Sequence, residues 1–231
     1  HESLQEVHNK NVVEIAGASN RMVLFIQDGS ELIYNKHPHT YGLGPTADAS
    51  GQGIMFHTCL AVEWAKDTPP FTIGVAKQTA WIRTEKTKSK ERKEKESLVW
   101  LNTLKAIGRP PDNSRWVSVG DRGNDIYEYI SGATDEGWNY VLRAKHNRTI
   151  LVNGEKKRLH EWIRSLEPSG GYTLNLRSRG GKFSRKSELK IAWGEAVMQP
   201  PNNKKGKGIG VTYVRAYDPE DEGLEWILVT S

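Results

Sequence analysis

Two aspartates, Asp28 and Asp121, are the residues of this sequence best placed by type and context to do chemistry. Each follows a short apolar run: Met22-Val-Leu-Phe-Ile26 before Gln27-Asp28, and Trp116-Val-Ser-Val119 before Gly120-Asp121. A carboxylate at the carboxyl end of a strand, just before a turn, stands where open α/β sheets place their ligands. Two such carboxylates brought together repel each other unless a cation neutralises them. Hard oxygen ligands with open positions suit Mg2+ or Mn2+, and ions held that way promote in-line phosphoryl transfer. The alternative for each aspartate is a turn residue that merely ends its strand. The chemistry therefore rests on whether the fold makes the two meet.

Composition narrows the partners. The net charge is +5, but it is unevenly spread: between Ile150 and Arg215, 14 Lys+Arg stand against 5 Asp+Glu. That stretch carries +9 and leaves −4 for the remainder. A basic part attached to an acidic part suggests a polyanion-binding face beside a carboxylate-bearing one; a solvated lysine-rich surface is the other reading. A hydrophobic content of 36% with eight Trp is that of a globular chain, and 231 residues suffice for one sizeable core. No run of eighteen apolar residues marks a membrane span. With no signal peptide in view and one cysteine, Cys59, a disulfide framework is excluded and a reducing, intracellular compartment is the expectation. The first residue, His1, is not Met, which reads as a piece of something longer.

The elements that must position the aspartates follow from apolar periodicity and turn residues. Residues 1–20 read as a short helix or linker. Met22–Ile26 is a strand ended by Gln27-Asp28 and turned by Gly29 and Ser30. Residues 34–53 are a loop; Ile54–Glu63 and Phe71–Arg83 are strands joined by a hairpin at Asp67-Thr-Pro-Pro70. Thr84–Lys95 is a charge run, solvated or the exposed start of a helix, and Ser97–Ile107 is helical. Trp116–Val119 is a buried strand, and Arg122-Gly-Asn124 a turn. Asp125 is predicted as the N-cap of a helix with Ile126, Tyr129 and Ile130 on one face. Asn139–Lys145 is a fifth strand. Beyond His146 the predicted strands are Thr149–Val152, Gly171–Arg177, Ser187–Trp193, Gly210–Arg215 and Trp226–Thr230. One short helix lies near Leu159–Leu166, and Asn202–Gly208 is a basic loop. This gives two domains: residues 1–146, and a mostly antiparallel β unit over 147–231.

The first part reads β-β-β-α-β-α-β, the order of the ribonuclease H-like fold. In that arrangement the first and fourth strands run parallel side by side and their carboxyl ends meet. The predicted class is thus α/β, a ribonuclease H-like mixed sheet with an inserted antiparallel β subdomain.

Four stretches carry a closer likeness: Gln27-Asp28, Asp121-Arg-Gly-Asn-Asp-Ile-Tyr127, Tyr140-Val-Leu-Arg-Ala-Lys-His146 and Leu224-Glu-Trp-Ile-Leu-Val-Thr-Ser231. With these the chain resembles the DDE transposases of bacterial insertion sequences, in the branch that cuts DNA through a hairpin intermediate. The resemblance implies that Asp28 and Asp121 are catalytic, the first two members of a triad that binds Mg2+ or Mn2+. It implies that the β unit is the family's insertion domain. Arg143 and Lys145 match a basic strand that grips the transposon end, and Trp226 matches a tryptophan that stacks on a flipped-out base. Arg122 is a surface turn residue or a phosphate contact. The partners implied are transposon-end and target DNA, with dimerisation in the synaptic complex of the full-length protein. The location implied is the bacterial cytoplasm, at the nucleoid.

The family's third acid lies in a later motif, Tyr-x-x-Arg-x-x-x-Glu followed by Lys, on a helix after the insertion domain. This chain reaches Ser231 first, and neither Glu222 nor Glu225 matches it. The end-recognition domain that precedes the core in the family is not matched either. The expectation is an enzyme in the parent protein and a fragment nearly inactive alone. Two other readings remain: a non-catalytic DNA-binding or regulatory module, and a ribonuclease H-like nuclease that hydrolyses without joining.

Overall fold

A computed structural model describes residues 2–36, 39–46, 51–84, 89–178, 184–202, 204 and 206–231. The protein is mixed α/β, with few helices and strands that are mostly antiparallel. It divides into two compact units, His1–Tyr140 and Val141–Ser231.

The first unit opens with helix α1 (Glu2–Ala18) and strand β1 (Met22–Ile33). The short β2 (Gly44–Pro45), then β3 (Gln52–Trp64) and β4 (Phe71–Trp81), follow as antiparallel neighbours. Helix α2 (Ser89–Ile107) leads to β5 (Arg115–Gly120), which pairs with β1 in parallel. A 3₁₀ turn (Arg122–Asn124) and helix α3 (Tyr127–Asp135) bring the chain to β6 (Asn139–Arg143). The spatial order is β2-β3-β1-β5, with β4 on the outer side of β3.

Several boundaries differ from the sequence expectation. The first strand does not stop at Gln27-Asp28; β1 runs on to Ile33, paired with β3 to the last residue, Ile33 opposite Gly53. Gly29 permits a turn but does not require one, and the long antiparallel partner β3 hydrogen-bonds the alternate residues of β1 along its whole length. The expected loop over 34–53 includes β2, while residues 37–38 and 47–50 lie outside the described residues. Helix α2 begins at Ser89, not Ser97, so much of the charge run is helical; residues 85–88 of it lie outside the described residues. Arg83 ties the approach to α2 down: its guanidinium reaches Glu96 at 2.5 and 2.8 Å and Glu31 at 3.2 Å. Asp125 is not the N-cap of α3. Ile126 occupies that position, without a side-chain bond, and Asp125 is wholly buried. Asp121 takes the capping role one turn earlier.

An aromatic trio anchors the first unit. Phe25 from β1 lies 4.7 Å from the Trp116 ring and 4.9 Å from the Trp138 ring, centroid to centroid. Both indole N–H groups donate to backbone carbonyls, Trp116 to Ala16 of α1 at 3.1 Å and Trp138 to Gly108 at 3.0 Å. Buried indoles find partners in this way because an unpaired N–H would cost about 1–3 kcal/mol.

The second unit is a sheet in the order β6, β12 (Asp221–Thr230), β11 (Ile209–Asp218), β10 (Arg185–Met198), β7 (Thr149–Val152), β8 (Glu155–Arg158). Strand β9 (Gly170–Leu176) lies on β10, and all the pairings described within this unit are antiparallel. Helix α4 (Leu159–Arg164) covers one face, setting Trp162 edge-on to Tyr213. Strand β8 is not legible in the sequence, because its Glu-Lys-Lys-Arg run has no apolar position. Its pairing with β7 through an Asn153-Gly154 turn, both residues at positive φ, creates the strand. Strand β10 is longer than expected at both ends, and Lys205 and Asn203 of the basic loop lie outside the described residues. Among the described residues no helix is long and apolar enough to cross a membrane.

Truncating Phe25 to Ala removes the ring at the centre of the trio. Its expected cost is about 3–5 kcal/mol, the usual range for a buried phenylalanine, read as a fall in the urea midpoint with the m-value unchanged.

Candidate metal and nucleic-acid site

The parallel ladder of β1 and β5 places Leu24 opposite Val117 and Ile26 opposite Val119. Asp28 and Asp121 each stand two residues further along. Asp28 continues β1 beyond the last pair, and Asp121 follows the end of β5 at Gly120 with extended backbone, so the two aspartates stand at neighbouring ends of a parallel pair. Asp28 lies on the side opposite buried Phe25 and Gln27, and both aspartates are exposed. Adjacent strands lie about 4.8 Å apart. One oxygen of each carboxylate is oriented by a backbone N–H: Gly29 donates to Asp28 Oδ1 at 2.8 Å, and Gly123 to Asp121 Oδ1 at 2.7 Å. On the far side of Asp28, Thr58 lies opposite on β3 and Gln78 opposite Thr58 on β4, with the Gln78 amide donating to Thr58 Oγ1 at 3.1 Å. A row of neutral polar groups thus borders the carboxylates.

Beneath this row a buried polar network fixes the two strands. The Gln27 amide donates to Ser118 Oγ and to the Tyr129 hydroxyl, both at 3.0 Å, and its carbonyl oxygen meets His57 Nε2 at 2.9 Å. Ser118 and Tyr129 bond each other at 2.6 Å. Four elements, β1, β3, β5 and α3, are thereby joined through one carboxamide. His57 packs edge-on to Trp100 of α2 at 4.2 Å. Since Gln27 presents its oxygen, the imidazole donates from Nε2, and burial pushes its pKa down to about 4. Burial pushes the Tyr129 hydroxyl and the Cys59 thiol up, so neither ionises near neutral pH. Gly120 is required at the tip of β5: a Cβ there would lie 2.2 Å from the Asn124 amide nitrogen, which fills that space.

The second unit gathers the other expected residues. Arg143 lies opposite Leu228, and the Ala144 N–H donates to the Ile227 carbonyl at 2.8 Å, which sets Lys145 opposite Trp226. Arg143, Lys145 and Trp226 therefore share one face of the β6–β12 ladder. The opposite face buries Leu142, Ala144, Ile227 and Val229. Glu225 lies on that buried side and is committed there: Arg164 and Arg215 both bind it, the latter at 2.7 Å. These guanidinium groups, Arg164 first, hold its carboxyl below the usual range against the opposing effect of burial. Arg122, in the 3₁₀ turn of the first unit, is exposed beside Asp121.

Asp28, Asp121 and Arg122 thus belong to the first unit, and Arg143, Lys145 and Trp226 to the second. Sequence reasoning missed Gln27, His57, Ser118 and Tyr129 as the frame. The available signal was a polar residue at the inward position of each apolar strand. Among the described residues no group of three or more His, Cys, Asp or Glu could hold a metal ion. Two carboxylates alone still suit Mg2+, which is commonly held by one or two carboxylates, substrate phosphates and several waters. No known family model matches the chain.

The depressed His57 pKa has a measurable consequence. Its folded value, about 4, lies below the ordinary 6.5, so the unfolded chain binds the extra proton between those values. Its contribution to stability is full above pH 6.5 and is lost as pH falls toward 4. Denaturant midpoints measured across this window should decline more steeply for the wild type than for His57→Gln. The excess slope approaches at most about 1.4 kcal/mol per pH unit, the limit for one proton.

Proposed function

We propose that the chain is the core portion of a DDE-type transposase, with a ribonuclease H-like first unit and a DNA-gripping β unit. The observation that supports this most is the parallel pairing of β1 with β5, whose register ends at Ile26 opposite Val119, two residues short of exposed Asp28 and Asp121. Asp28 and Asp121 hold a divalent cation, and Gly29 and Gly123 aim their carboxylates. Bound there, Mg2+ or Mn2+ supplies charge neutralisation at the scissile phosphate and a water activated for attack. Arg143 and Lys145 neutralise DNA phosphates near the cleavage point, Arg122 adds a further phosphate-binding group, and Trp226 holds an unstacked base. Cleavage through a DNA hairpin, followed by joining to target DNA within a synaptic dimer, is the reaction class this set serves. With two carboxylates in the donor set, the chain alone is expected to bind one ion and to cleave weakly or not at all.

A second reading is favoured by a different observation. Residues 141–231 carry 17 Lys+Arg against 10 Asp+Glu, and no triad of ligands lies among the described residues. A DNA-binding module without catalysis would have both properties.

Metal and DNA titrations separate the two. Mn2+ binding followed calorimetrically should weaken at least ten-fold in Asp28→Asn and in Asp121→Asn. In metal-free buffer the same variants should melt no lower than wild type, because one of two repelling charges is gone. Wild-type Mn2+ affinity in both variants would remove the metal site and leave the binding module. Duplex DNA affinity should fall in Arg143→Ala and Lys145→Ala, with the log–log salt slope reduced by about 0.9 for each phosphate no longer neutralised.

A further inference from the structure

Trp193 is 55% exposed, an unusual place for the largest apolar side chain. Its position follows from its neighbour. A Cβ on Gly194 would lie 2.8 Å from the Trp162 ring, so α4 presses directly on β10 at that glycine. Trp193 must point to the opposite side, away from α4. The registers place Trp193 opposite Val214, Val214 opposite Leu228, and Leu228 opposite Arg143. The next row runs Ile191, Ala216, Trp226, Lys145. One face of the second unit therefore carries two indoles and two cations around a low aliphatic floor. Its one acid along β10, Glu195, lies on the side away from Lys145.

We propose that this face is a platform for single-stranded DNA, with Trp193 stacking on a second nucleotide beyond the one held by Trp226. The inference rests on the DNA-acting role proposed above and extends it. Charge selects the ligand: Arg143 and Lys145 lie in the same two rows as the indoles, so a polyanion is favoured over an apolar peptide. Geometry selects its form. Trp193 and Trp226 lie two strands and two residues apart, about 12 Å between Cα atoms at ordinary sheet spacings. Bases stacked in a duplex are about 3.4 Å apart, so the two indoles serve separate nucleotides of an unstacked strand. Duplex DNA keeps its base faces hidden and has nothing to offer Trp193. The path runs from Trp193 across Val214 and Leu228 toward Arg143, away from Glu195.

Fluorescence anisotropy with a labelled single-stranded oligonucleotide, and with its duplex, tests this on the full chain. Trp193→Ala should weaken single-strand binding roughly ten-fold, the usual effect of losing one stacked base, and leave duplex binding unchanged. Trp193→Phe should restore most of the loss, and neither variant should change the thermal midpoint, because the side chain is exposed. Single-strand binding that is unaffected in Trp193→Ala overturns the platform while the transposase reading stands. An equal loss on both DNA forms, or no rescue by Phe, overturns stacking as the cause. A wild-type chain that binds neither form removes the DNA-acting reading itself, and this inference with it.

Discussion

The parallel pairing of β1 with β5 is the constraint on which the first unit depends. In an antiparallel pair, two carboxylates at strand tips would project from opposite ends. Parallel strands bring their carboxyl ends together, and only the register decides whether the side chains coincide. Here Gln27 fixes that register: its carboxamide reaches Ser118 on β5 and Tyr129 on α3 while accepting from His57 on β3. A shift of either strand by one residue would leave at least one of these buried groups without its partner, a cost of about 1–3 kcal/mol for each.

The charged and neutral groups are separated by layer. The Asp28 and Asp121 carboxylates stay in contact with water, where carrying charge is cheap, and the backbone groups that orient them are uncharged. A histidine kept neutral by burial suits that frame better than a protonated one, whose charge would repel any cation bound above. The second unit follows a similar division. Its inner face joins α4 to the sheet through Trp162, Tyr213 and the Glu225 ion pairs. Its other face keeps Arg143, Lys145, Trp226 and Trp193. Because both oxygens of the Glu225 carboxylate are engaged by Arg164 and Arg215 on the inner face, it is a poor candidate for a third metal ligand.

Much of this was legible in the chain. The apolar runs at Met22, Ile54 and Trp116 each marked a strand, and a parallel neighbour for the first of them followed from the element order. What escaped was set by tertiary pairing. Gly29 looks like a turn residue in isolation, yet a thirteen-residue partner strand keeps it extended. Asp125 has the right type for a cap, but α3 starts one residue later, with Ile126 at the cap position, and Asp125 is buried instead. The face on which Trp193 lies was hidden for a similar reason. Alternation says only that it opposes Gly194, and the packing of Trp162 against that glycine decides which side is covered.

The ladder also limits how the polypeptide can change length over evolutionary time. Between Met22 and Asp28, gaining or losing a single residue would rotate the acid to the underside of the sheet and push a hydrophobic group into water. Only changes by two, matched in β5, would keep both acids at neighbouring ends of the pair. Descendants of this chain should therefore hardly vary in length between Met22 and Asp28 or between Arg115 and Asp121.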